Sequence, residues 1–175
     1  MMTRRTLGVA ASAVTLAAAG ATPARAQRMP FSTLLDAVTA SRDLSRFAAL
    51  VKAAGIEDQL TRAGQFSLFA PHDPYFDSLN APTMAALTSN TERLRRVLLT
   101  HVATRPVMVV PGGIGGGETS PDLTLLQTLS GRSIALWNGG GAVPHVEGRK
   151  IWVANLWTGN GIAHCIDGFV GGWRA

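Results

Sequence analysis

Few side chains in this sequence could do chemistry, and they are scattered. The histidines are His72, His101, His145 and His164, and Cys165 is the single cysteine. No two histidines stand at the His-x-x-x-His interval that puts two imidazoles on one helical face, and no carboxylate pair accompanies them, so no metal site is expected. Asp167 follows His164 by three positions. On a strand an odd separation sends two side chains to opposite faces, so no His–Asp couple for proton transfer forms there. Asp167 stands directly before Gly168 and reads better as a turn cap. Cys165 lies among Ile162, Ala163 and Ile166 without a basic neighbour to stabilise a thiolate, and is expected to be a buried, inert thiol. The run Gly112-Gly113-Ile114-Gly115-Gly116-Gly117 lacks the Lys-Ser/Thr ending of a phosphate loop and the register of a dinucleotide turn, so it reads as a mobile surface loop. No serine sits in a nucleophile elbow. Without a nucleophile–base pair a hydrolase is disfavoured; the chain is expected to be no enzyme and to need no cofactor.

His101 and the tryptophans carry more. His101 falls seven residues after Leu94, on the apolar face of a helix. It reads either as a ligand contact or as a neutral imidazole bonded to a buried carbonyl, and the cost of an unsatisfied buried polar group favours the second. In Ser133–Trp137 and Lys150–Ala154, strand alternation puts Ile134, Leu136, Ile151 and Val153 on aliphatic faces. Trp137 and Trp152 then lie on the opposite faces beside polar neighbours. If those strands are close, the two indoles form an aromatic surface for an apolar or sugar-like ligand; otherwise a helix or terminal segment covers them.

The elements that must position these residues begin after a leader. Thr3-Arg4-Arg5-Thr6-Leu7, the mildly apolar stretch from Leu7 to Ala21, and Ala24-Arg25-Ala26 together read as a cleavable export signal over residues 1–26. Arg4 and Arg5 resemble the twin-arginine route for proteins exported already folded, and Ala24 and Ala26 give the small-x-small cleavage site. The stretch is too short and too poor in Leu and Ile for a membrane helix, so no transmembrane anchor is expected after cleavage. A periplasmic or secreted location follows. The 175 residues carry a net charge of +5, but three basic and no acidic residues lie in the leader, so the remainder carries +2. That is no footprint for nucleic acid.

The first half of the remainder has helical periodicity. Leu34, Leu35 and Val38 mark a short helix; Leu44, Phe47, Ala48 and Val51 mark another between Asp43 and Gly55. Pro74 suits the first turn of a third, and Thr91–His101 a fourth with Arg93, Arg95 and Arg96 on a solvated face. Phe66–Phe69 is a strand stopped by Pro71. After Val107–Val110 the pattern becomes strand-rich: Thr124–Leu129, Ser133–Trp137, Ala142–Val146, Lys150–Ala154 and Ile162–Ile166, with Asn160-Gly161 as a tight hairpin turn. One α+β domain over residues 31–171 is expected.

Three segments add a resemblance. Phe66-Ser67-Leu68-Phe69-Ala70-Pro71-His72-Asp73-Pro74-Tyr75-Phe76 resembles the first box of fasciclin (FAS1) domains. Leu98-Leu99-Thr100-His101-Val102 is similar to the family's central Tyr-His segment, and Asn160 to Val170 to its C-terminal box. The resemblance implies a wedge-shaped β-sandwich with helices packed around it, and structural roles for Phe69, Ala70, Pro71, His101, His164, Asp167 and Gly168. It implies adhesion or recognition of protein or polysaccharide at a cell surface or matrix, with Leu98, Leu99 and His101 as candidate contacts beside Trp137 and Trp152. Alternatively it implies a carrier for an apolar small molecule, carotenoid- or lipid-like, since some members hold such ligands between helices and sheet. Thr100 stands where the family usually has Tyr, so integrin-type recognition through that residue is not expected. The export signal points to a bacterial protein.

Overall fold

A computed structural model of the chain describes residues 30–110, 113–115, 123–137 and 143–171. The leader with Arg4, Arg5, Ala24 and Ala26 lies outside the described residues, as do half of the glycine run and the start of the segment expected at Ala142–Val146.

Helices fill the first half: α1 (Leu34–Ala40), α2 (Ser45–Ala54), α3 (Glu57–Thr61), α4 (Asp73–Asp77), α5 (Ala81–Thr88) and α6 (Thr91–Thr100). Their ends show why they form. Thr33 and Asp36 exchange bonds in a capping box at the start of α1. Asn90 Oδ1 accepts the Arg93 N–H at 2.8 Å to start α6. Helix α5, which the periodicity did not mark, starts the same way: Asn80 accepts from the Thr83 N–H and Pro82 occupies the first turn. Asp43 does not cap α2. It lies in a 3₁₀ turn, Arg42–Leu44, and the cap comes from Asp73 at the start of α4. The Asp73 carboxylate accepts from Ser45 N at 3.1 Å and Arg46 N at 3.0 Å, so one charge offsets two orphan donors and ties two helices together. Gly55 ends α2 at φ +60. Its carbonyl accepts from Arg95 Nη1 at 2.8 Å, so Arg95 is a tie between α2 and α6 rather than part of a merely solvated face.

The strands are β1 (Phe66–Pro71), β2 (Val102–Ala103), β3 (Met108–Val110), β4 (Gly113–Gly115), β5 (Leu123–Gln127), β6 (Ser133–Trp137), β7 (His145–Val146), β8 (Arg149–Thr158) and β9 (Gly161–Ile166). β1 runs through Pro71, one step past the expected stop, and β4 occupies Gly113–Gly115 inside the segment expected to be loop, where it pairs with β3. The other seven form one sheet in the order β2-β1-β9-β8-β7-β6-β5, in which β1 and β9 are parallel and the rest antiparallel. Its two edges meet: Thr104 N donates to Gln127 O and Leu129 N to Val102 O, both at 2.8 Å. The sheet therefore curls into a closed wall whose opposing halves sandwich Phe69, Val107, Leu126, Ile134, Leu136, Val146, Ile151 and Ile166.

The outer face of β1 and β9 is also buried, under the helices. Leu68, Ala70, Ala163 and Cys165 pack there with Val38, Phe47, Val51, Phe76, Leu94 and Leu98. These two strands are covered on both faces, as parallel strands must be. β5 and β6 instead alternate between buried and exposed.

Two turns differ from expectation in their chemistry. The tight hairpin with left-handed residues is Glu147-Gly148 between β7 and β8, at φ +50 and +75. Neither Asn160 nor Gly161 has a positive φ. Gly161 is required because a Cβ there would run into the Phe66 carbonyl oxygen. Asn160 is a buried hub: Oδ1 accepts from Leu34 N at 2.8 Å and Thr158 Oγ1 at 3.1 Å, while Nδ2 donates to Leu60 O at 2.9 Å and Arg62 O at 3.0 Å. One amide thus joins α1, α3, β8 and the β8–β9 turn. Asn160→Ala should cost on the order of 3 kcal/mol in urea unfolding, because four bonds go and buried backbone groups lose their partner. A loss below about 1 kcal/mol would contradict the hub.

Candidate functional site

The two buried histidines are structural pins on either side of Phe69. His101, following α6, donates from Nδ1 to the Phe69 carbonyl at 2.6 Å, and its Nε2 accepts from Val170 N at 3.4 Å. Its ring lies 5.4 Å from that of Phe169. His164 donates from Nε2 to Val107 O at 3.0 Å, accepts on Nδ1 from Asn155 N at 3.3 Å, and stacks on the Phe69 ring at 5.2 Å. Both rings are neutral, each with one nitrogen donating and the other accepting. Burial pushes both down to about 4, more than the carbonyl bonds pull them up.

The other motif residues are equally inward. Phe69 fills the closed wall, Ala70 lies beneath the helices, and Pro71 pairs with Ile166. Asp167 Oδ1 accepts from Lys150 N at 2.8 Å and its N–H donates to Lys150 O, which extends the β8–β9 ladder by one step. Gly168 leaves room for the Arg149 side chain, whose Nε donates to Phe169 O at 3.3 Å. Leu98 is fully buried in the helical core and Leu99 packs partly buried against it, so the central segment supports the fold and Leu98 and His101 offer no surface to a partner. Burial, then the Asp43 charge, pushes the Cys165 thiol up to about 11. Among the described residues no three His, Cys, Asp or Glu side chains gather as a metal site.

The surface feature lies on the sheet. Among the described residues the helices cover the β1–β9 half of its outer face and the far end of β8, and leave β5, β6, β7 and the start of β8 bare. Register builds one row across it: Leu123 pairs with Trp137, Trp137 with His145, and His145 with Lys150. Leu125 and Trp152 extend the row at its two ends. Leu125 is 64% exposed, Trp152 59%, Leu123 and Trp137 48% each, and Val153 44%. The sheet therefore brings Trp137 and Trp152 to one face, two strands apart, with no helix of the described residues over either. A β-bulge beside Trp152 breaks the ladder, which is why Trp152 and Val153 both point outward. Simple alternation had put Val153 with the inward Ile151.

The row ends in a crevice of about 330 Å³ where the helical layer meets the bare face, lined by Asp43, His72, Pro74, Trp152, Val153 and Cys165. The His72 and Trp152 rings meet edge to face at 5.8 Å, and Lys150 Nζ lies 4.4 Å from the Trp152 centroid. His72 and the deep Cys165 thiol gave no such signal in sequence, since only the fold brings their elements together. Apolar platforms beside polar edges can bind; no activated nucleophile lies among them.

A model of the fasciclin domain matches residues 42–170. The chain is 27% identical over 138 residues to transforming growth factor-beta-induced protein ig-h3 of Sus scrofa, covering 79% of this chain and 19% of that one. It is 31% identical over 143 residues to an uncharacterized protein of Synechocystis sp. (sll1735), covering 80% of this chain and 88% of that one. It thus spans about a fifth of the animal relative and most of the bacterial one. A solved FAS1 domain pair from the insect cell adhesion molecule fasciclin I superimposes with a TM-score of 0.60 at 18% identity, over 81% of this chain and 51% of that one.

Both histidines titrate lower folded than unfolded, so the unfolded chain binds more protons in between. Stability should be intact above about pH 6.5 and fall on the order of several kcal/mol toward pH 4. His101→Gln, which keeps a donor for Phe69, should retain more stability than His101→Ala and flatten the slope. Urea midpoints across this range check it; a level wild-type profile, or no loss in either variant, would contradict the buried-imidazole account.

Proposed function

This chain belongs to the fasciclin domain family, and we propose that it is an exported, non-enzymatic recognition module attaching to a cell surface or extracellular matrix. The carrying observation is the bare half-sheet, where Trp137 and Trp152 stand exposed in one row with Leu123 and Leu125. A contiguous exposed apolar patch of this kind marks an interaction surface on a soluble domain. The solved structural neighbour comes from a cell adhesion molecule, which supports the same reading. The twin-arginine-like leader supports action in the periplasm or outside the cell, by protein or polysaccharide contact. Among the described residues no helix is long and apolar enough to cross a membrane.

The crevice beside Trp152 favours a second reading, a carrier for an apolar small molecule, since a space of about 330 Å³ with Pro74, Trp152 and Val153 as walls suits a compact ligand. Solvent extraction of protein purified from its native host separates the two: a stoichiometric apolar compound supports the carrier.

Fluorescently labelled protein should bind intact cells or matrix saturably. Trp137→Ala with Trp152→Ala should weaken this at least tenfold, about 1.4 kcal/mol, with only a small drop in the melting temperature, because both rings are half-exposed and outside the two cores. Undiminished attachment of the double variant would overturn the reading.

A further inference from the structure

Resting on that recognition reading, we propose that the bare half-sheet binds a neutral polysaccharide strand laid across β5 to β8, with Trp137 and Trp152 as its stacking platforms. Three observations select this occupant. The first is charge. Along the row Lys150 is balanced by Asp167, whose carboxylate accepts the Lys150 N–H, and the Lys150 ammonium lies over the Trp152 ring. Arg149 lies off this face: it pairs with the inward Val146, and its guanidinium reaches the Tyr75 ring and the Phe169 carbonyl. Among the described residues Lys150 is the one charged side chain of the row, and with Asp167 beside its strand and the Trp152 ring under its ammonium the face offers little field to a charged polymer, so an uncharged one fits.

The second is area. Two half-exposed indoles and the exposed Leu123, Leu125 and Val153 present on the order of a few hundred Å². A stable protein interface buries about 800 Å² per partner. The strip is too narrow for a second globular surface and wide enough for one polymer strand.

The third is spacing and chemistry. Trp137 and Trp152 are separated by two strand steps and two residues along β8, roughly 12 Å from strand geometry. That is about the length of a disaccharide unit. A pyranose presents an apolar C–H face to the negative face of an indole while its hydroxyls point sideways. Between the platforms stand the half-buried His145 and Lys150, side chains able to meet those hydroxyls.

The test uses the full purified chain with cellohexaose, laminarihexaose and maltohexaose in tryptophan-fluorescence and calorimetric titrations, with heparin as the anionic comparison. At least one neutral hexasaccharide should bind saturably, with an affinity unchanged between low and high salt. Trp137→Ala and Trp152→Ala should each weaken it at least tenfold, whereas Trp157→Ala, at the far end of β8, should not. Absence of saturable binding to all three would overturn the proposal, as would binding of heparin alone with loss in salt, or sugar binding indifferent to both tryptophans. Tryptophan-dependent attachment to cells without hexasaccharide binding would overturn this inference and leave the recognition reading standing; hexasaccharide binding without attachment would do the reverse.

Discussion

Burial of the parallel β1–β9 pair on both faces is the constraint from which the rest of the molecule follows. A parallel pair leaves both of its faces apolar, so something must cover each. The curl of the sheet covers the inner face with Leu126, Ile134 and Leu136 from the far strands, and the helices cover the outer face. With the six short helices gathered on those two strands, no described helix lies over β5, β6 or β7. The bare half is therefore a consequence of where the parallel pair sits. The Asn160 amide fixes that arrangement by joining α1 and α3 to the turn that starts β9.

The buried His101, His164 and Asn160 side chains find backbone partners. Phe69 is held by its carbonyl on the His101 side and by its ring on the His164 side; His101 satisfies one further backbone group, Val170 N, and His164 two, Val107 O and Asn155 N. Asn155, at φ +61 on β8, bonds through its side chain to both backbone groups of Val109, which anchors the β3–β4 hairpin over the wall. Side chains committed to such bonds are unavailable for chemistry at the surface. The large apolar side chains that the fold does not use are concentrated on one face, in Leu123, Leu125, Trp137, Trp152 and Val153.

Much of this was legible in sequence because local rules governed it. Gly55 ends α2, a helix starts at Thr91, and alternation in Ser133–Trp137 separates the two faces of β6. The three FAS1-like boxes added the order of the elements. What stayed hidden was set by partners distant along the chain. Asp73 caps a helix 28 residues before it, Arg95 reaches a carbonyl 40 residues before it, and Asn160 looked like a turn former yet bonds across 126 residues. The site divides the same way. The outward sides of Trp137 and Trp152 followed from strand period, but their exposure depended on which half of the sheet the helices chose, and the crevice with His72 and Cys165 depended on tertiary packing.

The central claim is that the β5–β8 face is uncovered and its indoles are open to solvent. Acrylamide quenching of a Trp157→Phe, Trp173→Phe variant, in which Trp137 and Trp152 alone emit, tests this most directly. Ready quenching is expected in the native protein, as half-exposed indoles allow, with a further rise on unfolding as the His72, His145 and Lys150 contacts are lost. Rings protected until the protein unfolds would contradict it.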